Sequence, residues 1–79
     1  MTLRADQRRA LAMLASEGRN GVTQSLLTLY GFHPSTVAEL VGRGLASITQ
    51  ENVRAGDGLV EVVTIRITEA GRDALAAEG

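Results

Sequence analysis

Residues Thr23 to Leu45, TQSLLTLYGFHPSTVAELVGRGL, leave little choice of local structure: they read as two short helices joined by a tight turn. Thr23 is placed as an N-cap whose hydroxyl accepts from the free amides of the first turn, and Leu26, Leu27 and Tyr30 follow at helical spacing. Gly31 ends that helix, which spans residues 24–30. Pro34 then sits in a first turn, its φ already helical and its missing N–H no loss there. Val37, Leu40 and Val41 line one face of a second helix over 34–43, and Gly44 is placed to close it in a left-handed cap. Tyr30 reads as a residue packing at the edge of the core, and His33 as a turn or capping residue.

Around this pair the periodicity defines the other elements. A helix over 3–16 carries Leu3, Ala10, Leu11 and Leu14 inward, with Thr2 as its cap and Gly18 as its stop. Arg4, Arg8 and Arg9 lie on its wetter side, either as a solvated face partly paired with Asp6 or as a patch for a nucleic-acid backbone. Arg19-Asn20-Gly21 signals a turn, and Val22 a very short strand.

Beyond Leu45 the period changes to two. Residues 46–54 and 59–67 read as strands of a hairpin, joined by a four-residue loop, Ala55-Gly56-Asp57-Gly58. That register sets Arg54 opposite Leu59, Ile48 opposite Ile65 and Ala46 opposite Ile67, which gathers the apolar pairs on one face. On the other face Val53 meets Val60 and Glu51 meets Val62. These valines are either a contact for a protein partner, in the first place a second copy, or ordinary strand formers. Thr68 caps a last helix over 69–77, with Glu69 near the positive end of its dipole and Ala70, Ala74 and Leu75 inward. Gly79 ends the chain.

With 79 residues the chain makes one domain, which buries roughly 60% of the surface its unfolded form exposes. Only one Tyr and one Phe contribute to the core, so a second protomer would supply what it lacks. There is no cysteine and a single histidine, which leaves no disulfide and no expected metal site. No cofactor is expected either. The absence of a long apolar run or a secretory leader points to a cytoplasmic protein away from membranes.

Catalysis is equally unsupported. The chain has no GxSxG, no lysine and no phosphate-cradling glycine loop, and no carboxylate is placed by the sequence to orient His33. Net charge is −1. Residues 1–18 and 19–54 each carry three arginines against two carboxylates, and everything after Arg54 carries two arginines against five. A basic stripe is therefore weak.

The order helix, helix, helix, two-stranded hairpin, helix resembles the winged helix-turn-helix fold, an α+β fold with a three-helix core, a wing and a closing helix. Two stretches carry the resemblance. TQSLLTLYGFHPSTVAELVGRGLA, residues 23–46, is similar to the paired helices of MarR-like and PadR-like bacterial regulators, and ITEAGRDAL, residues 67–75, to the segment that leaves the wing in those families. The resemblance implies a DNA-binding, regulator-like protein with the 34–43 helix in the major groove. It also implies His33, Ser35, Thr36, Glu39 and Arg43 facing DNA, and Arg54 reaching it from the wing. Arg43 would clamp guanine, Thr36 a thymine methyl or a phosphate, and Glu39 cytosine N4. Read without the resemblance, Glu39 and Arg43 are an i,i+4 surface pair. The competing expectation is a winged-helix module that binds protein through Val53, Val60 and Val62, as a homodimer or with another chain, and holds no DNA.

Overall fold

The computed structural model describes residues 3–78, so the Thr2 cap and the terminal Gly79 lie outside the described residues. Four α-helices and a three-stranded antiparallel sheet make an α+β domain: α1 Ala5–Glu17, β1 Val22–Thr23, α2 Gln24–Leu29, α3 Pro34–Gly42, β2 Ala46–Ala55, β3 Gly58–Ile67 and α4 Glu69–Glu78. The strand order is β1-β3-β2, so the short strand foreseen at Val22 becomes the third member of the sheet.

Local chemistry accounts for most of the boundaries. α1 begins two residues later than its apolar spacing predicts, at Ala5, and the Arg4 backbone N–H donates to Gln7 Oε1 at 3.0 Å. Leu3, just before this cap, is buried, and its N–H donates to the Glu78 carboxylate at 2.7 Å, which ties the start of the chain to α4. Thr23 Oγ1 accepts from the Leu26 N–H and caps α2.

The same C-cap ends both α2 and α3. Gly31 and Gly44 have φ of +89° and +76°, and each donates to the carbonyl three residues back while the next residue reaches five back. Phe32 N–H thus bonds Leu27 O, and Leu45 N–H bonds Leu40 O. This is the Schellman arrangement, and it turns Phe32 and Leu45 back toward the core.

β2 and β3 pair residue for residue from Ala46↔Ile67 to Ala55↔Gly58, and include Arg54↔Leu59, Ile48↔Ile65 and Val53↔Val60. The connection is tighter than the four-residue loop expected: both strands run to the turn, and only Gly56 and Asp57 lie outside them. Gly56 has φ +60° while Asp57 stays negative, the pattern of a type II′ hairpin turn, whose twist matches the flanking strands.

Leu11, Leu14, Leu27, Leu40 and Ile65 form the fully buried centre, with Val22, Val37 and Leu45 around them. β3 is the central strand and receives α1 and α2. β2 is an outer strand, which explains why Ile65 is wholly buried while Ile48, directly opposite, remains 50% exposed.

Two further expectations are corrected by the packing. Tyr30 is 64% exposed, because α2 stops at Leu29 and the chain turns away at Gly31. In α4 the inward position is Gly71 and not Ala70, since the helix lies against the Leu45 carbonyl.

Thr68 joins α4 to the end of α3. Its hydroxyl accepts from the Gly71 N–H at 3.0 Å and donates to the Gly44 carbonyl at 2.6 Å. Thr68→Val keeps the shape and loses both bonds, so thermal unfolding should show a loss of about 1–2 kcal/mol. An unchanged melting curve would mean that the hydroxyl is matched by solvent.

Candidate interaction surfaces of the third helix and the hairpin

α3 is positioned by residues that also limit what it can present. His33 is its N-cap: Nδ1 accepts from the Ser35 N–H at 3.1 Å and lies 2.8 Å from the Ser35 hydroxyl. Val37 and Leu40 anchor the helix in the core. Helical spacing alone puts Thr36 and Glu39 on the outer side, and here the packing of α1 intervenes.

Thr36 is buried, and its hydroxyl donates to Asp6 Oδ2 at 2.9 Å. Glu39 is taken by Arg4, whose guanidinium reaches both carboxylate oxygens, one at 3.2 Å. Arg4 also contacts Asp6, Nε to Oδ1 at 3.3 Å. The expected Glu39 to Arg43 pair is replaced by this Arg4-Asp6-Thr36-Glu39 cluster, which fastens the start of α1 to α3.

The electrostatics of the cluster follow from these contacts. The Thr36 hydroxyl, and after it Arg4, hold the Asp6 carboxyl below its ordinary value, while Glu39, then Asp6, raise Arg4 above its own. A carboxylate with a depressed folded pKa stabilises the fold above its unfolded value of about 3.9, and that contribution is lost as pH falls through the folded value. Asp6→Asn should therefore flatten the acid limb of the stability curve below about pH 4. Urea midpoints recorded down that limb check this, and parallel curves for the two proteins would contradict it.

What remains outward on α3 is Pro34, Ser35, Ala38, Gly42 and, at its end, Arg43. Arg43 and, in β2, Arg54 are exposed and make no ion pair among the described residues. His33 and Ser35 are exposed as well, with part of their polar capacity spent on each other. Of the six residues aligned with a DNA-facing role, four thus lie at the surface, and Thr36 and Glu39 are engaged with α1.

The hairpin is a different kind of surface. A ten-residue strand is about 33 Å long, and the molecule measures 46 × 22 × 20 Å, so the hairpin must run along the long axis. Every residue of β2 after Ala46 is exposed, as is β3 from Gly58 to Glu61. Val53 and Val60, paired across the strands, are 48% and 50% exposed, and Leu59 is 66% exposed. Val62 is half-buried.

Ile48 and Leu59 extend this apolar surface beyond the three valines that alternation singles out. Their signal in the sequence is misleading, because both lie on the face that carries Ile65 into the core. Leu29, 80% exposed beside Tyr30 at the end of α2, is a second apolar spot missed by periodicity.

An open groove of about 480 Å³ runs between α2 and β3, lined by Thr23, Gln24, Ser25, Thr28 and residues 60–63. Its lining carries a single charged side chain, Glu61. Among the described residues no three His, Asp or Glu side chains converge as metal ligands would, and no helix is long and apolar enough to cross a membrane. Compared with family models, with curated proteins and with solved structures, the chain has no match in any of the three.

Proposed function

We propose that this chain is a winged-helix-like module that works by associating with a second copy of itself through the β2–β3 hairpin. The observation that carries this reading is the exposed apolar set Ile48, Val53, Leu59 and Val60 on an arm that most of the domain does not cover. A two-stranded hairpin is only marginally stable alone in water, and apolar residues on both of its faces are stabilised when another surface covers them. The element order, three helices, a hairpin and a closing helix, supports the winged-helix part of the reading.

DNA binding is the second reading, favoured by the exposed Arg43 and Arg54, which are unpaired among the described residues. It ranks lower on charge. Non-specific affinity for DNA comes largely from neutralised phosphates, and with Arg4 committed to Glu39 and Asp6 each monomer offers few cations near α3.

One experiment separates the two. Purified protein is titrated against labelled duplex DNA at low and at physiological salt, and its mass is followed on the same samples as concentration rises. Self-association with no DNA binding at low salt is the expected result. A monomer that binds DNA with a steep salt dependence, lost in Arg43→Ala and Arg54→Ala, would replace the first reading with the second.

A further inference from the structure

The outer edge of β2 specifies how two copies would meet. The hairpin closes through a two-residue turn between Ala55 and Gly58, so that pair exchanges both backbone hydrogen bonds. From there the bonded pairs recur at every second residue. The N–H and C=O groups of Val53, Glu51, Thr49 and Ser47 point toward β3, and those of Arg54, Asn52, Gln50 and Ile48 point away from it.

The same parity turns Ile65 outward on the far side of β3, where it meets Val22 of β1. On the β2 side no strand follows among the described residues, since the order is β1-β3-β2. Apart from the charges of Glu51 and Arg54, the usual protections of an edge are missing. β2 is ten residues long, has no proline or lysine, and keeps a one-to-one register with no bulge.

Extending the dimer reading above, on which this inference rests, we propose that β2 of one copy pairs antiparallel with β2 of the other, joining two three-stranded sheets into one of six. Parity and charge narrow the register. Outward residues must face outward residues, and a two-fold axis at Glu51 would set Glu51 against Glu51, a like-charge pair. An axis at Gln50 or at Asn52 avoids this.

The Gln50 axis brings the exposed Ile48 into the paired stretch, whereas the Asn52 axis leaves it opposite the turn. It sets Gln50 opposite Gln50, Ile48 opposite Asn52, Thr49 opposite Glu51 and Ser47 opposite Val53, and it stops short of Ala46, which is buried. No like charges face each other in this register. The free edge of β3 serves less well for a second copy. Its outward groups are Leu59, Glu61 and Val63, and the symmetric pairing that uses all three sets Glu61 against Glu61.

The absence of cysteine makes the test clean. In a bonded antiparallel pair the Cα atoms lie about 5.5 Å apart, within disulfide range. Gln50→Cys should therefore oxidise to a covalent dimer at least about tenfold faster than Asn52→Cys or Asp57→Cys, whose own copies lie apart in this register. In the unmodified protein, amide exchange at Ile48, Gln50 and Asn52 should slow as concentration rises, while Thr49, Glu51 and Val53 stay protected throughout.

Asn52→Pro removes an outward N–H that β3 does not use, so it should yield a folded monomer. Equal oxidation rates for the three cysteine variants, or a dimer without the alternating exchange pattern, overturn the edge pairing and leave dimerisation through the hairpin faces standing. A chain that stays monomeric at every concentration overturns both.

Discussion

Gly71→Ala is expected to remove a large part of the domain's stability. In a solvated helix the same change stabilises, because glycine costs about 1 kcal/mol relative to alanine. Here the sign reverses. A Cβ at residue 71 would overlap the Leu45 carbonyl oxygen and lie 2.8 Å from Ile67 Cγ1. Backbone on one side and a core side chain on the other leave little room to yield, so α4 would have to lift from the end of α3 and from Thr68.

Overpacking of this kind costs about 1–3 kcal/mol, and more where backbone is struck. The cost is large against the total of about 4–12 kcal/mol expected for a chain of this length. Gly42→Ala is the matched control: Gly42 is helical and a Cβ there meets nothing within 4 Å. It should gain up to about 1 kcal/mol. Thermal melts of the two variants should move in opposite directions, and equal shifts would mean that α4 does not sit where it is described.

The second large effect concerns association. Val53 and Val60 face each other across the strands, so Val53→Arg with Val60→Glu replaces an apolar pair by an opposite-charge pair that preserves the hairpin. The folded monomer should tolerate the exchange, since both positions are about half exposed. A dimer that buries them would have to desolvate two charges, and should weaken at least about tenfold, or 1.4 kcal/mol. Light scattering across a concentration series measures this. Unchanged association with intact hairpin signals would exclude burial of this face and leave the contact to the β2 edge or to Leu29 and Tyr30 on α2.

What could be read from the chain beforehand is what depends on neighbours in sequence. Thr23 and Thr68 as caps, Gly31 and Gly44 as left-handed stops, and the pairing of Ile48 with Ile65 all follow from local chemistry or from apolar matching between adjacent strands. The two-residue turn escapes because Ala55 and Gly58 can serve equally as loop or as strand. Residues whose state depends on a distant element are read less well. Thr36 and Glu39 look like an open helix face until the start of α1 is laid across them, thirty or more positions away in sequence.

Gly71 gives no sign of close packing until the Leu45 carbonyl is placed beside it. Ile48 has a buried partner but occupies an outer strand, and alternation cannot tell an outer strand from a central one. On the reading proposed above, the candidate site is the hairpin, beside the helix that resembles a DNA reader.

The hairpin as the association surface is tested most directly by a dilution series of amide spectra on ¹⁵N-labelled protein, from millimolar to micromolar. Signals from residues 47–61 should shift or broaden progressively with concentration, while those of Leu11 and Leu14 in α1 hold their positions. Spectra that do not change on dilution, or changes confined to Ser35, Ala38 and Arg43 around α3, would contradict the account.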